Sequence, residues 1–272
     1  MKVRDFTICQ TKKNNVKSDV LNAVGHFDKY WSNGQVIKYA FMGGTTQQRK
    51  LVTMGINDLD FINLKFWETT DVNIAEVRIA FTPGGSWSYL GIDCLQIPSS
   101  SPTMNFGWLH KTNPTDIGTV KHELTHMIGA GHEHQFPNGI TFILDEIKKD
   151  IPNWSDDEII HNIINQSKAG TVDTTLDIDL NSIMLYAFPA RWNKEGISTK
   201  QNNDWSNKDK EFWSNIYPIN EIDYKKVLLT LYEDKNIRDL LKSTHVNVAN
   251  LLKVDGEGRE LEVINNIVNS LK

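Results

Sequence analysis

The sequence predicts an α+β fold, and three patterns in its 272 residues support this prediction. The first 110 residues alternate between short β-branched or aromatic runs and one helical stretch, with Gly and Pro between them. A helix rich in histidine follows, at about residues 116–128. After Gly129 the pattern loosens, and residues 167–217 are rich in loop-forming residues. We therefore expect a sheet in the first half and a less regular second half.

The individual elements follow from local signals. WSNGQVIKYAF predicts a turn and a strand, whereas TTQQRKLVTMGINDLDFI predicts a helix, because Thr45 and Gln48 have the capping-box spacing and apolar residues recur at helical intervals. NLKFWETT and AEVRIAFTP have strand character, and SWSYLG and PTMNFGWL predict further short strands. In the second half, SDDEIIHNII predicts a helix capped by Ser155 and Glu158, and INEIDYKKVLLTLY predicts another with Asn220 as its cap.

Composition excludes several kinds of partner. The net charge of −5 gives no electrostatic reason to expect nucleic acid or an anionic membrane as a partner. No run approaches the ~20 apolar residues that span a bilayer. The first residues, MKVRDFTICQTKK, predict no signal peptide, so we expect a cytoplasmic protein or non-classical export, with a removed leader as the alternative. Cys9 and Cys94 are expected to be buried thiols, although one bridge between them is an alternative.

The segment HELTHMIGAGH, residues 122–132, combines three histidines with one glutamate. On a helix, His122 and His126 lie one turn apart, which lets both imidazoles reach one ion at ~2.0–2.1 Å. Glu123 lies about 60° around the helix from His126, so its carboxylate can reach a water at the ion without binding the ion itself. An apolar stripe on another face would pack against a core. The stripe consists of Ile117, Val120, Leu124 and Ile128.

Gly129 is expected to end this helix, because glycine accepts the left-handed conformation that often follows a last helical turn. The turn would bring His132 back to the same ion, with His134 as a rival ligand. Three neutral imidazoles leave a fourth position for water, which is typical of catalytic zinc. The alternative is an ordinary polar helix, because HExxH alone also occurs by chance. The remaining histidines stand alone and are expected to be structural or surface residues: His26, His110, His161 and His245.

These residues resemble a family. HELTHMIGAGH is similar to the long zinc signature of the metzincin metalloendopeptidases, and Glu133 after it is the residue of the astacin branch. SIMLY, residues 182–186, resembles the astacin form of the Met-turn, and Asp179 ahead of it also fits. WSNGQVIKY, AEVRIAFTPGGSWSYLG and PTMNFGW are similar to the first, third and cleft-lining edge strands of astacins, and HEHQFP resembles bacterial relatives between astacins and matrixins. The resemblance covers about residues 31–232.

The resemblance implies a metzincin-like fold. Its features are a twisted, mainly parallel sheet, two long helices above a cleft, and an irregular helical lower subdomain. The same resemblance implies one catalytic Zn²⁺. Its implied ligands are His122, His126, His132 and, as a fifth ligand, Tyr186.

The family pattern also implies roles in catalysis. Glu123 would be the general base and then the acid, and Met184 would form a hydrophobic floor under the metal. Tyr186 would swing away when substrate binds and donate a hydrogen bond to the oxyanion. Its alternative is a packed aromatic residue in a loop. In the predicted edge segment, Asn105, Phe106 and Gly107 would bind substrate by adding its backbone as an antiparallel strand, although a purely structural strand is the alternative.

The chain departs from the astacin pattern in several ways. Leu185 replaces the His that many astacins carry in the Met-turn, and the family's disulfides are absent. The resemblance also implies that Glu133 meets a freshly cut amino terminus, yet some 30 residues precede the first predicted strand. These residues could be an inhibitory segment in which Cys9 or Asp28 reaches the zinc, although neither lies in a recognisable latency motif.

Three regions are predicted: an N-terminal extension (residues 1–30), a catalytic domain (31–232, upper part to about 129 and lower part 130–232) and a C-terminal helical extension (233–272). The C-terminal extension carries an amphipathic stripe. We expect it to pack on the catalytic domain, with a small docking module for a protein partner as the alternative. The stripe is made of Leu261, Ile264, Ile267, Val268 and Leu271.

The predicted function is a zinc-dependent endopeptidase that acts on protein or peptide substrates. One alternative is a catalytically silent peptide-binding module that keeps the zinc site, although Glu123 argues against it because a binder needs no base. Another is a zinc hydrolase with a non-peptide substrate, although no sugar or phosphate site is recognisable. Arg191, shortly after the Met-turn, is a candidate for favouring acidic residues beyond the scissile bond.

Overall fold

A computed structural model describes residues 25–109, 114–137, 139–166 and 178–219. The predicted helix INEIDYKKVLLTLY, the C-terminal extension, Cys9, His110 and His245 lie outside the described residues. No helix in the described ranges is long and apolar enough to cross a membrane.

The first half forms a five-stranded, mainly parallel sheet, as predicted. Its strand order is β2-β1-β3-β5-β4. β1 pairs in parallel with β2 and β3, and β3 pairs in parallel with β5, whereas β4 runs antiparallel to β5. The strands are β1 (Val36–Phe41), β2 (Lys65–Glu68), β3 (Val77–Ala80), β4 (Trp87–Ser88) and β5 (Met104–Asn105).

Two long helices pack together beside this sheet. α1 (Thr46–Asn57) begins at the predicted capping box, in which Thr45 and Gln48 bond each other's backbone amides. α2 (Pro114–Met127) carries the histidine motif. Gly55 lets the helices approach, because a β-carbon there would lie 2.5 Å from Cγ1 of Val120. The sheet and these helices enclose the first core, which includes Ile37, Val52 and Leu124 among its fully buried side chains.

Much of the second half packs around a separate core, which short helices and loops form from isoleucines and aromatic residues. Its members include Ile147, Ile163, Tyr186 and Trp192. Two of its helices are α3 (Leu144–Lys148) and α4 (Asp156–Ile159).

The helix predicted over SDDEIIHNII begins as expected, with the Ser155–Glu158 capping box. It then widens into a π-helix over Ile160–Ile164. The side-chain amide of Asn162 donates to the carbonyl of Glu158, four residues earlier, at 2.8 Å. That bond competes with the regular backbone ladder, which gives a physical reason for the wider turn. The apolar periodicity predicted the helix but not this change.

The prediction that residues 167–217 are rich in loops missed a helix in their last part. α5 spans Asn207–Ile216 and is capped by Ser206, with Asp209 completing the capping box. The helix was missed because its apolar residues are few, and its position is set by Asp209 and Trp213, which are buried against other parts of the chain. Tertiary packing here outweighs a weak local pattern.

Residues 25–31 lie against the end of α2. The backbone amide of His26 donates to the carbonyl of Gly129 at 3.1 Å, and the indole of Trp31 donates to the carbonyl of Met127 at 2.8 Å. Tyr30 makes edge-to-face contacts with Trp213 and Tyr217, whose ring centroids are each 6.0 Å away. Residues 25–30, assigned from the sequence to the N-terminal extension, are therefore packed on the domain that follows them.

Candidate metal centre and active site

Helix α2 presents two of the predicted ligands. Three of the four residues of the predicted apolar stripe, Val120, Leu124 and Ile128, are fully buried in the first core, whereas Ile117 is half-buried. With that face fixed, His122 and His126 are held on a neighbouring face, and their ring centroids are 4.8 Å apart. The helical spacing in the sequence therefore places both imidazoles at one site, as predicted.

Gly129 makes the turn that returns the third histidine. Its φ of +113° lies in the left-handed region, and a β-carbon there would be 2.9 Å from the ring of Tyr30. After this turn, Nε2 of His132 lies 3.1 Å from Nε2 of His126. One nitrogen from each of His122, His126 and His132 lies within 4.8 Å of the others. Three imidazoles therefore converge on one point.

Hydrogen bonds orient the first two rings. Nδ1 of His122 is 2.8 Å from the carbonyl of Ile183, and Nδ1 of His126 is 2.7 Å from the carbonyl of Ala130. An Nδ1–H donated to a carbonyl leaves the Nε2 lone pair for a metal. Nε2 of His122 is buried and has no hydrogen-bond partner within the described structure. A buried nitrogen without a partner is costly unless an ion or water takes its lone pair, so this donor set fits Zn²⁺.

Burial keeps these imidazoles neutral, which is the form that binds metal. Desolvation lowers the pKa of His122 to about 4 and that of His126 to about 3, and it lowers the pKa of His132 well below its usual value. His134, the rival ligand, is also buried, but its Nε2 lies 3.0 Å from the carbonyl of Asn162. His134 is therefore held by the π-helix, and His132 completes the cluster.

The Met-turn lies against this cluster through Ile183 and Tyr186, and α5 anchors it. Asp209 accepts hydrogen bonds from the hydroxyl of Ser182 at 2.8 Å and from the backbone amide of Ile183 at 2.9 Å. Met184 is buried in the first core, and its carbonyl accepts from the amide of Glu133 at 3.0 Å. The Met-turn, whose Ile183 carbonyl orients His122, is therefore hydrogen-bonded both to α5 and to Glu133.

Glu133 is enclosed among other acidic residues. One of its carboxylate oxygens accepts from the amide of Asp179 at 2.7 Å. Burial, together with the nearby charges of Asp209 and Asp179, raises the pKa of Glu133 to about 8. Glu133 thus links the turn after His132 to the chain that leads into the Met-turn.

Glu123 and Tyr186 lie at the same cleft as the ligands. Glu123 is buried, and both residues line the cavity that also contains His122. The ring centroid of Tyr186 is 4.4 Å from that of His132 and 4.2 Å from that of His134, against which it stacks. The structure therefore brings together the residues for which catalytic and liganding roles were predicted.

The edge strand was assigned wrongly. The outer strand at that end of the sheet is β4, and β5 lies between β3 and β4. Asn105 is buried, and its amide donates to the carbonyls of Thr82 and Gly85, while Phe106 is fully buried. A β-carbon at Gly107 would lie 2.4 Å from the carbonyl oxygen of Gly84. Because β4 folds back and pairs with β5, Asn105, Phe106 and Gly107 do not form an open edge for a substrate strand.

Two further expectations fail. Arg191 does not line the cavity, since its guanidinium bonds both carboxylate oxygens of Asp150 at 2.6 Å. Asp28 does not reach the histidines, because its half-exposed carboxylate lies 3.3 Å from Nζ of Lys29 and is absent from the convergent cluster. Cys94 is a free, buried thiol, as expected.

Residues that shape the site were also missed. Asp209 was not singled out, although its spacing from Ser206 is that of a capping box. Gly118, Thr119, Gln201 and Asn202 line the cavity beside Glu123. No local motif marks these four, because they meet only when the chain after the Met-turn folds back on α2.

A mainly parallel sheet, a three-histidine cluster on a helix and the turn after it, and a Met-turn against that cluster define a metzincin-type zinc metalloendopeptidase. Comparison with known proteins agrees. Residues 23–227 match the model of the peptidase family described as Astacin. The chain belongs to this family, and the three histidines are its site for one catalytic zinc ion.

Individual relatives support the assignment. A structure of myroilysin is 30% identical, covers 73% of this chain and 100% of its own, and superposes with a TM-score of 0.69. A second crystal structure of myroilysin is 27% identical over 80% of this chain and 93% of its own, with a TM-score of 0.60. Astacin-like metalloprotease toxin 5 of Loxosceles gaucho is 28% identical over 179 residues, which are 61% of this chain and 81% of the toxin.

Proposed function

We propose that this protein cuts internal peptide bonds with Glu123 as the general base and Tyr186 as a hydrogen-bond donor to the oxyanion. The observation that carries the proposal is the burial of Glu123 in the cavity that His122 and Tyr186 also line. A buried carboxylate beside a metal centre can take and return a proton without competition from bulk water.

Each residue has a separate task in this proposal. His122, His126 and His132 would hold the ion, and the carbonyls of Ile183 and Ala130 fix the first two rings. A zinc ion bound there supplies a Lewis acid that lowers the pKa of a water towards about 7. Glu123 takes the proton of the attacking water and passes it to the leaving amine. Tyr186, held by its stacking on His134, donates its hydroxyl proton in a hydrogen bond to the oxyanion.

The test compares Glu123→Gln with the wild-type protein. The substitution keeps size and removes the base, so cleavage of casein should fall by about 10²–10⁴-fold, the usual contribution of general-base catalysis. Zinc content, measured by elemental analysis, should remain one ion per chain. Glu211→Gln is the matched control, because Glu211 is exposed on α5 and lies outside the cavity.

Two results would contradict the proposal. One is cleavage by Glu123→Gln at the wild-type rate. The other is zinc-loaded wild-type protein that binds peptides but makes no chelator-sensitive internal cuts in mass spectra. The second result would favour the catalytically silent peptide-binding module.

A further inference from the structure

We propose that His134 is a positioning residue for Tyr186. The π-helix fixes the His134 imidazole, and this imidazole supplies the flat surface on which the Tyr186 ring rests. The contact sets where the Tyr186 hydroxyl lies relative to the metal and to the oxyanion. This inference rests on the proposed function, in which Tyr186 donates to the oxyanion, and it adds a residue that acts through Tyr186 rather than on the substrate.

The ring of Tyr186 is buried against imidazoles. Its centroid lies 4.2 Å from that of His134, with 29° between the ring planes, so these two rings stack. The ring of His132 lies 4.4 Å away but is inclined by 53°, and the ring of His122 is nearly parallel but more distant, at 6.3 Å. Among these three contacts, the close parallel one is with His134. That contact therefore determines the plane of the Tyr186 ring.

The backbone of Tyr186 is held separately from its ring. Its carbonyl accepts a hydrogen bond from the hydroxyl of Thr199 at 2.6 Å. On the other side, the Met-turn is bonded to Asp209 through Ser182 and Ile183. With the backbone fixed, the hydroxyl moves between the metal and the oxyanion by rotation about the side-chain bonds. The neighbours of the ring then decide which orientation it occupies.

His134 is itself held by the end of the π-helix. Its Nε2 lies 3.0 Å from the carbonyl of Asn162. Burial lowers the pKa of His134 to about 3, so the imidazole is neutral, and the nitrogen beside this carbonyl carries the proton and donates it. The next residue is held in the same way, because the side-chain amide of Gln135 donates to the carbonyl of His161 at 3.0 Å. Two successive residues are thus tied to two successive carbonyls of the π-helix.

These carbonyls are available because the π-helix ends there. It spans Ile160–Ile164, and the last carbonyls of a helix have no partner within it. His134 and Gln135 supply the missing donors. Short π-helices occur frequently at functional sites. The wider turn, which apolar periodicity did not predict, therefore places two acceptors beside the segment that follows His132.

A histidine at this position does more than fill space. Nδ1 of His134 is buried and has no hydrogen-bond partner within the described structure. Phenylalanine would supply a similar ring without the cost of an unpaired buried nitrogen. Histidine instead combines a flat ring, on which Tyr186 stacks, with an N–H that fixes this ring on Asn162. Both properties are needed to hold Tyr186 in one orientation.

The experiment compares three variants of the full-length protein loaded with Cu²⁺ in place of zinc. His134→Leu removes both the flat ring and the N–H, His134→Gln keeps an N–H without a ring, and His134→Phe keeps a ring without the N–H. A phenolate bound to Cu²⁺ absorbs visible light, and Tyr186→Phe identifies the band that belongs to Tyr186. This band should weaken in His134→Leu and His134→Gln and persist in His134→Phe. Elemental analysis should find one metal ion per chain in each variant.

The kinetics of the zinc-loaded variants give an independent readout. In His134→Leu, kcat for a single peptide should fall about 3–10-fold, the range expected for the loss of one aromatic contact. KM should change little, because His134 is fully buried and does not contact the substrate. In the Tyr186→Phe background, the same substitution should change kcat by less than about twofold, because the two residues act as one unit.

Four results would each overturn the inference. They are the absence of a Tyr186-dependent band in the wild type, equal bands in His134→Leu and His134→Phe, an undiminished loss of kcat in the Tyr186→Phe background, and loss of the metal ion from His134→Leu. In the last case His134 would act on the zinc ligands rather than on Tyr186. The copper spectra do not depend on cleavage, whereas Glu123→Gln and chelator-sensitive cuts test the endopeptidase proposal separately.

Discussion

The two hydrophobic cores of this protein are built differently. The first joins a regular sheet to α1 and α2, and its aliphatic side chains recur at strand and helix spacing. The second joins short helices and loops, and it mixes isoleucines with aromatic residues such as Trp192. His122 and Glu123 come from α2 in the first half, whereas Tyr186 belongs to the second core. The catalytic cleft is thus assembled where a regular half meets an irregular half.

The largest effect should come from removing the ligand that follows the turn between the halves. His132→Ala should lower zinc affinity by more than the 10–100-fold typical of changes around metal ligands, and cleavage should be lost with the ion. Competition with a fluorescent chelator measures the affinity. The comparison is His134→Phe, which preserves an aromatic ring and should keep zinc. Equal zinc loss in both variants would show that His134 is also needed for the ion to bind.

Two glycines at opposite contacts of α2 sharpen the comparison, because Gly55 on α1 faces α2 and Gly118 lies in α2 itself. Gly55→Ala on α1 would press on side-chain atoms of Val120 and Leu124, whereas Gly118→Ala would press on the backbone of Asn203. Overpacking typically costs about 1–3 kcal/mol, so urea denaturation should show a lower free energy of unfolding for each variant. Alanine's better helix propensity should offset part of this loss. Only Gly118→Ala should also lower the rate of casein cleavage, because it presses on the chain that lines the cavity beside Glu123. An equal loss of cleavage rate in Gly55→Ala would contradict the separation of the two halves.

The smallest expected effect is on the pH dependence of stability. It concerns His26, which lies beside the turn that joins the halves. Burial is the main cause of its lowered pKa, with Asp28 and Asp93 opposing and Lys29 reinforcing the shift. The unfolded chain therefore binds more protons than the folded chain below about pH 6.5, and stability is lost as pH falls from that value towards the folded pKa. His26→Gln should reduce this pH dependence. Urea denaturation midpoints, measured at a series of pH values for the wild type and the variant, test this prediction. An equal change of midpoint with pH in the two proteins would contradict it.

The sequence predicted the first half well because its signals are local and periodic. The Thr45–Gln48 capping box, the stripe of α2 and the spacing of His122 and His126 all act within a few residues of each other. His132 could be predicted because Gly129 marks a turn of known geometry. These features need no knowledge of distant contacts.

What the sequence did not predict depends on contacts between distant segments. The order of β4 and β5 depends on how the chain folds back near Gly84, and the pairing of Arg191 with Asp150 joins residues far apart in sequence. The cavity beside Glu123 likewise closes when residues 201–203 approach Gly118. Local motifs identify the atoms that perform chemistry but not the cavity walls around them.

The double role of Asp209 has a consequence for biosynthesis. It caps α5 and also holds Ser182 and Ile183, whose carbonyl orients His122. Because the ribosome makes a chain from its amino terminus, the histidine motif leaves the ribosome before the residue that secures the Met-turn. A nascent chain therefore carries all three histidines before its Met-turn can be anchored. This order of synthesis delays the full assembly of the proteolytic site until α5 has been made.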